Sequence, residues 1–310
     1  MTDGASTIAQ VVPAVPSFSV DDGFSYAVPK EMELSIGSLV RVPLGGRRVR
    51  GYVVGLRSGD VAGLKSVIRL SAKTPVFDER VLQSLKALAV HYVAPVSVVL
   101  AKTTPPNLPG SPRPTQLPDV PSGPASLLPD LTGPVSAGTH ARAHFLLGRR
   151  PWTEAVRGLA APVVAAGRSV LVVMPTVTET DRLADELESE MPGRVLRAYS
   201  AQDAKTVTAT WSRVARHPGY VLVGTREVAF WPMADLGLAV IVGEGRKGMK
   251  DKSTPTFHAR EVLRRRSGVE RFGLALLGGV PTTETMAAGT PVIRKQGTRS
   301  WPLVEVVDRN

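Results

Sequence analysis

The stretch GSLVRVPLGGRRVRGYVVGLRSGDVAGLK, from Gly37 to Lys65, decides the fold of the first part of the chain. Two runs rich in β-branched residues, Leu39 to Val42 and Val49 to Leu56, flank the segment LGGRR at 44–48. A pair of glycines between such runs is typical of a tight turn, so the stretch predicts a β-hairpin with a basic tip. We expect this hairpin to form the centre of a small β-barrel-like domain.

The hairpin and the segment after it carry charge of one sign. Asp60 is the single acidic residue between positions 37 and 73. The basic residues in that interval are Arg41, Arg47, Arg48, Arg50, Arg57, Lys65, Arg69 and Lys73. Such a field suits a polyanion, because each cation that neutralises a phosphate releases condensed counterions. Charge alone leaves a second interpretation open, a solvated arginine-rich β-surface.

The composition sets the outer limits. With 310 residues the chain has room for two domains, and its net charge of +11 and pI near 10.2 favour an anionic partner such as nucleic acid. The absence of cysteine excludes disulfides, thiolate zinc sites and cysteine catalysis. No apolar run reaches the roughly 18 residues that a membrane span needs, and the start lacks signal-peptide features. We expect a cytoplasmic, nucleoid-associated protein with no metal and no membrane contact.

The chain divides by composition. Residues 1–10 are small and polar, which predicts disorder. Residues 11–102 form the predicted first domain, which opens with two short strands within 11–28. It closes with a helix from Asp78 to Tyr92, where Asp78 is the expected N-cap. The proline-rich residues 103–135 are the predicted linker.

Beyond the linker, residues 136–310 alternate between strands and helices. The run SVLVVM from Ser169 to Met174 is typical of a buried parallel strand, and the helix pattern from Thr180 to Met191 follows it. Repetition of this order predicts an open parallel sheet with helices on both faces. The expected fold class is therefore α+β multidomain, a small β-barrel-like domain followed by an α/β domain.

Specific motifs then resemble one known family. The first part contains FSYAVP from Phe24, GSLVRVPLG from Gly37, HYVAP from His91 and TPP from Thr104. These resemble the N-terminal DNA-binding domain of the PriA family of primosomal replication-restart helicases. In the second part, VLVGTR at 221–226, DLGLAVIV at 235–242 and HAR at 258–260 are similar to the first RecA-like helicase lobe of that family.

The resemblance implies a pocket that captures the 3′-hydroxyl end of a DNA strand. Residue by residue, it assigns Phe24 to stacking on the terminal base, Gly45 to a close backbone approach and Lys65 to a phosphate. Ser25 stands where the family has aspartate, so recognition of the terminal nucleotide is expected to differ. The basic residues of the hairpin complete the predicted DNA-binding set, namely Phe24, Ser25, Gly45, Arg47, Arg48, Arg50 and Lys65.

The same resemblance predicts a degenerate nucleotide site. A P-loop needs glycine N–H groups, a lysine and a Ser or Thr hydroxyl to hold nucleotide phosphates and Mg²⁺. The corresponding segment here contains Gly148, Trp152 and Thr153, with Trp152 in place of the lysine. The acidic motif of the family becomes Gly-Glu-Gly-Arg around Glu244. We therefore expect no ATP hydrolysis, doubtful ATP binding and no cofactor.

The sequence thus predicts a DNA-binding protein of replication restart, which recognises forks, 3′ ends or single-stranded DNA and acts in primosome assembly with primosome or replisome proteins. By resemblance it is a degenerate, ATPase-deficient member that is either C-terminally short or the front part of a longer gene product. The alternative is an ATP-dependent 3′–5′ helicase or translocase. A second basic group contains Arg246, Lys247, Lys250 and Lys252, followed by Arg260, Arg264, Arg265 and Arg266. Its last four residues are open to two interpretations, a solvated helix face or a DNA track.

Overall fold

The first domain is a small antiparallel barrel. The computed structural model describes residues 6–72, 74–108, 141–147 and 151–294. The strands of the first sheet are β1 (Ser6–Pro13), β2 (Phe24–Ala27), β3 (Leu39–Leu44), β4 (Arg47–Gly59) and β5 (Arg69–Leu70). They pair antiparallel in the order β2-β1-β4-β3-β5. A bridge between Ala27 and Ser66 joins the two edges, so the sheet closes on itself.

The predicted hairpin is present and its turn explains its glycines. Leu44 pairs with Arg47 across a two-residue tip. Gly45 and Gly46 have φ angles of 54° and 76°. Two successive residues in this left-handed region match the twist of the flanking strands, and glycine adopts such angles without a steric penalty. The hairpin prediction is confirmed.

Two helices complete the first domain, α1 (Glu79–Tyr92) and α2 (Val96–Ala101). The carboxylate of Asp78 accepts a hydrogen bond from the N–H of Val81 at 2.8 Å, which confirms the predicted N-cap. The chain leaves α1 through Val93, whose φ of 47° is unusual for a β-branched residue. A 3-10 helix, Phe18–Val20, lies in the connection between β1 and β2.

The second domain is built on a parallel sheet. Its strands are β6 (Arg142–Leu146), β7 (Ser169–Val173), β8 (Val195–Ala198), β9 (Val221–Gly224), β10 (Leu236–Val242), β11 (Gly273–Gly278) and β12 (Val292–Arg294). They pair in the order β12-β6-β11-β10-β7-β9-β8, parallel throughout. Every residue of β7 and β10 is buried, as expected for strands covered on both faces.

Helices cover both faces of this sheet. They are α3 (Trp152–Ala165), α4 (Val177–Glu190), α5 (Ala204–Val214), α6 (Ala259–Glu270) and α7 (Thr283–Ala287), with 3-10 helices at Arg226–Phe230 and Lys247–Met249. Helices α3 and α4 pack on one face. Helices α5 and α6 pack on the other face, together with α1 of the barrel domain. The predicted fold class is confirmed.

The two domains share one hydrophobic core. Barrel residues such as Val12 and Leu39 belong to the same buried cluster as Trp211 of α5. The indole N–H of Trp211 donates to the carbonyl of Thr103 at 2.8 Å. The ring of Tyr92, at the end of α1, packs edge-on against Phe257 with centroids 4.7 Å apart. The barrel is therefore fixed to one face of the α/β domain.

Two expectations about disorder need correction. The prediction that residues 1–10 are disordered is wrong from Ser6 onwards, because β1 begins there and buries Ile8 between β2 and β4. The start of the predicted linker is also packed, since Thr103 is fully buried. The remaining linker from residue 109 lies outside the described residues. No helix in the described ranges is long and apolar enough to cross a membrane.

A buried ion pair supports the contact between the domains. Arg266 of α6 is 1% exposed and makes two hydrogen bonds to the carboxylate of Glu270, both at 2.8 Å. Ser84 of α1 donates to the same carboxylate at 2.9 Å. The guanidinium also donates to the carbonyls of Ala229 and Trp231. Removing Arg266 leaves these acceptors buried without their donor.

We expect Arg266→Ala to lower the free energy of unfolding by about 3–5 kcal/mol, because it strands a buried carboxylate. Arg264→Ala is the matched control on the same helix, since Arg264 is partly exposed and pairs with Glu261. That control should cost less than about 1 kcal/mol. Urea unfolding at neutral pH measures both. Equal losses for the two variants would contradict a special role for the buried pair.

Candidate functional site

The predicted DNA-binding residues lie on elements that meet at one end of the barrel. Pro13 at the end of β1 pairs with Gly51 of β4, and β4 starts at the hairpin tip with Arg47. The connection from β1 to β2 therefore leaves the sheet at the same end as the hairpin tip. Phe24 is the first residue of β2 at that end, and its side chain is 40% exposed.

Two hydrogen bonds draw the remaining elements together. The hydroxyl of Tyr26 donates to the carbonyl of Pro43 at 3.1 Å, which ties β2 to β3 two residues before Gly45. The N–H of Ala27 donates to the carbonyl of Lys65 at 3.0 Å. Burial raises the pKa of Tyr26, so its hydroxyl stays protonated as a donor at neutral pH. We call this end of the barrel, with Phe24, Ser25, Gly45, Arg47, Arg48, Arg50 and Lys65, the basic end.

The cations of the basic end are unpaired. Arg47, Arg48 and Lys65 are exposed, and Arg50 is half-buried. Within the described residues, none of these four side chains has a carboxylate within ion-pair distance. Asp60, the acidic residue of this stretch, accepts instead from the N–H of Ala62. The field of the basic end is therefore available to an anion from outside.

Gly45 and Ser25 have different surroundings in the structure. A side chain added at Gly45 would meet no atom within 4 Å, so its positive φ, not lack of space, is what requires glycine. The bare backbone of this tip is open to a ligand. Ser25 lies opposite Gln10 in β1 and is half-buried. Its neutral hydroxyl adds no negative charge beside the arginines.

The α/β domain contains a second polar centre around Glu244, directly after β10. Glu244 is 2% exposed. One oxygen, Oε1, accepts from the N–H of Thr282 at 3.1 Å. The other, Oε2, accepts from the hydroxyl of Thr285 and from Arg260 at 3.2 Å. Arg260 also donates to the hydroxyl of Thr282 at 2.7 Å. Both carboxylate oxygens are thus held by the protein itself.

His144 of β6 lies against the same carboxylate. Its Nδ1 is 3.2 Å from Oε1 of Glu244, although the ring is not aligned for a full hydrogen bond. The ring is completely buried, and its Nε2 has no hydrogen-bond partner among the described residues. The sequence interpretation did not single out His144 or Thr285. The sequence offered one signal for His144, its position within an apolar strand.

The surroundings of Glu244 keep it ionised. Burial by itself would raise its pKa. The contacts from His144, Thr285 and Thr282, together with the charge of Arg260, outweigh burial and lower the pKa to about 2 from 4.5. The carboxylate is therefore charged at neutral pH, and its charge is used inside the network.

The other predicted nucleotide-site residues lie at the start of α3. Gly148 lies outside the described residues. Trp152 is the first residue of α3 and its ring lies 5.8 Å from the guanidinium of Arg182. Thr153 lines an open groove of about 250 Å³ between α3 and α4. Three carboxylates also line that groove, those of Glu154, Glu186 and Glu190. Arg157 lines the groove as well and pairs with Glu190, and Glu186 pairs with Arg182, so much of this acidic charge is balanced within the protein.

The last four residues of the second basic group, which lie on α6, are paired within the protein. Arg264 and Arg265 both bind the carboxylate of Glu261, at 2.6 and 2.7 Å. Arg260 and Arg266 are buried with Glu244 and Glu270, as described above. Helix α6 therefore presents no row of unpaired cations, and the geometry does not favour a DNA track along it.

Fold and site together define a two-part protein, in which a small β-barrel with a cationic, aromatic end is fixed to a parallel α/β domain. Residues 10–105 match the family described as 3'DNA-binding domain (3'BD) of PriA. Over most of its length the chain is similar to PriA replication restart proteins.

Comparisons with individual proteins give the same similarity. The probable replication restart protein PriA of Mycobacterium tuberculosis H37Rv is 29% identical over 284 residues, with 85% of this chain and 43% of the relative covered. The replication restart protein PriA of Treponema pallidum is 25% identical, with 93% and 48% covered. The chain thus spans less than half the length of these relatives.

Solved structures with some likeness include two proteins at low identity. One is a DEAD box protein from Methanococcus jannaschii, with a TM-score of 0.36 at 11% identity, covering 53% of this chain and 48% of that one. The other is the Hef helicase domain of Pyrococcus furiosus, with a TM-score of 0.39 at 12% identity, covering 56% and 38%. These likenesses are too distant to assign a role to any residue.

The lowered pKa of Glu244 predicts a loss of stability in acid. Because the pKa is lower in the folded state, the charged carboxylate stabilises the fold above about pH 4.5, and this contribution is lost as the pH falls towards 2. We expect the wild type to lose about 2 kcal/mol more than Glu244→Gln between pH 7 and pH 3. Urea unfolding at several pH values measures this. Parallel pH profiles for the two proteins would contradict the assignment.

Proposed function

We propose that this chain binds DNA through the basic end of its barrel, recognises the 3′ end of a strand at a fork, and acts in replication restart without unwinding DNA at the expense of ATP. The observation that carries the proposal is the set of unpaired arginines and Lys65 beside an exposed aromatic ring, Phe24, at one end of a rigid barrel. The match of this domain to a 3′ DNA-binding family supports it.

The chemistry of the basic end suits a strand terminus. An exposed aromatic ring such as Phe24 provides a face on which a base can stack, and this interaction tolerates any base. Arg47, Arg48 and Lys65 are placed to meet phosphates, which position a strand without reading its sequence. Gly45 leaves the hairpin backbone open to the sugar of the last nucleotide. Binding of this kind is independent of sequence and depends strongly on salt.

The proposal of no ATP-driven unwinding rests on the α/β domain. Its carboxylate, Glu244, is 2% exposed and accepts hydrogen bonds from Thr282, Thr285 and Arg260, so it is enclosed by the protein instead of facing an external water molecule. Trp152 is the first residue of α3, at the position where a P-loop would bring a lysine to the phosphates.

The alternative is an ATP-dependent helicase, as the helicase-like architecture suggests. Under either function we propose forked DNA, 3′ ends and single strands as the nucleic acid partners, and primosome or replisome proteins as the protein partners. We also propose a cytoplasmic, nucleoid-associated location. We propose no zinc or other cofactor, since the chain has no cysteine ligands.

The first prediction concerns the DNA end. We expect tighter binding to a fork whose leading strand ends in a 3′-hydroxyl than to the same fork with a 3′-phosphate, because the added charge and bulk obstruct the terminal position. Phe24→Ala should weaken binding to the hydroxyl-ended fork about tenfold through loss of stacking. Fluorescence anisotropy at fixed salt measures both. Equal affinity for the two forks, unchanged by Phe24→Ala, would refute end recognition.

The salt dependence separates phosphate contacts from this end recognition. We expect the double variant Arg47→Ala, Arg48→Ala to bind DNA more weakly and to lower the slope of log K against log salt by about 2. Arg182→Ala is the matched control, since Arg182 is exposed on α4 and pairs with Glu186. An unchanged slope in the double variant would place the DNA elsewhere.

The third prediction concerns ATP hydrolysis. We expect no ATP hydrolysis above background by the purified chain on forked DNA, and no ATP-dependent strand separation, because Trp152 takes the place of the P-loop lysine and the carboxylate of Glu244 is enclosed by its own partners. A malachite-green assay and a strand-displacement gel measure these, with a relative that has an intact P-loop as positive control. DNA-stimulated hydrolysis abolished by Glu244→Gln would instead establish the helicase alternative.

A further inference from the structure

The phenylalanines of this chain are distributed unevenly between core and surface. There are seven, and all lie in the described residues. Five are buried, and Phe18 and Phe24 are exposed by 59% and 40%. A large apolar ring in water carries a cost that folding normally removes, so two such rings in one short stretch indicate a binding surface. The prediction from the sequence assigned a role to Phe24 alone.

Phe18 lies at the same end of the barrel as the unpaired cations. It belongs to the 3-10 helix in the connection between β1 and β2. That connection leaves β1 beside the basic hairpin, since the N–H of Ala14 donates to the carbonyl of Arg50 at 2.8 Å. It ends at Phe24, the first residue of β2. Phe18 therefore lies on a connection that starts beside the hairpin and ends at the ring proposed to hold the terminal base.

The connection is held in place at both ends, so the exposed ring is presented in a fixed position. The hydroxyl of Ser97 in α2 donates to the carbonyl of Val15 at 2.6 Å. The carboxylate of Asp21 accepts from the N–H of Val96 at 2.9 Å. Asp21 thereby directs its negative charge to the start of α2. A preorganised aromatic surface binds at a lower entropic cost than a flexible one.

We propose that Phe18 is a second base-stacking platform, which holds a base upstream of the 3′-terminal nucleotide. This inference rests on the proposed DNA-binding function and extends the site from one nucleotide to a short single-stranded segment. The strand would run from Phe24 past Phe18 towards the phosphate-binding arginines of the hairpin. A protein partner is the competing occupant of an exposed ring, but unpaired arginines at the same end favour a polyanion.

The test compares overhang lengths on a DNA duplex labelled with fluorescein. We expect Phe18→Ala to bind a four-nucleotide 3′ overhang about tenfold more weakly than the wild type and to bind a one-nucleotide overhang equally well. Phe18→Tyr should restore binding, because it keeps the ring. Val280→Ala is the matched control, since Val280 is an exposed apolar residue that follows β11 in the α/β domain. Thermal unfolding confirms that each variant is folded.

An abasic scan locates the stacked base. Single abasic sites are placed at each overhang position, and one of them should weaken wild-type binding about tenfold and leave Phe18→Ala binding unchanged. Phe18→Ala affinities equal to the wild type on all overhangs would overturn the inference and leave the ring to a protein partner. A wild type that shows no preference for overhangs, together with a neutral Phe24→Ala, would overturn the proposed function itself.

Discussion

The packing of α1 against α6 is the contact on which the rest of the structure depends. It joins the barrel to the α/β domain through one buried cluster and through the bond from Ser84 to Glu270. The carboxylate of Glu270 is in turn fixed by Arg266, whose removal would leave a buried charge uncompensated. A second bond, from the N–H of His258 to the hydroxyl of Tyr92, closes the other end of the contact. These bonds and the shared buried cluster hold the barrel and the α/β domain together as one body.

Helix α6 links the two polar centres of the molecule. Arg260, in its first turn, neutralises Glu244, and Glu261 gathers the arginines that face α1. The arginines of this helix therefore form ion pairs within the protein, with Glu244 or with glutamates of the helix itself. The basic end of the barrel is the opposite case, because its cations lie at the surface without acidic partners in the described ranges. The same residue type, arginine, thus serves internal cohesion in one place and attraction of an external polyanion in the other. Burial and the availability of a carboxylate decide between the two roles.

Much of the fold was predictable because its causes are local. The glycine pair at 45–46 demands a left-handed turn, Asp78 caps the helix that follows it, and unbroken apolar runs mark the central strands. Prediction went wrong where long-range pairing overrides composition. Ser6 to Gln10 looks unstructured but becomes a central strand of the barrel, since β2 and β4 pair with it on both sides. Strand β6 and helix α3 were not predicted either. Strand β6 pairs with β11 and β12 in the second sheet, and α3 covers one face of that sheet.

The sequence by itself determined the hairpin, the one-sided charge, the alternation of strands and helices, and the family resemblance, because each depends on residues close together in the chain. The tertiary structure alone decided which charges remain free. Arg264 and Arg47 carry the same charge in similar basic runs, yet Glu261 engages the first and no described carboxylate reaches the second. The tertiary structure also brings His144 of β6, together with Thr282 and Thr285 at the start of α7, around Glu244, although β6 and α7 are far apart in sequence. Long-range folding sets these distances, and electrostatic partners depend on distance rather than on position along the chain.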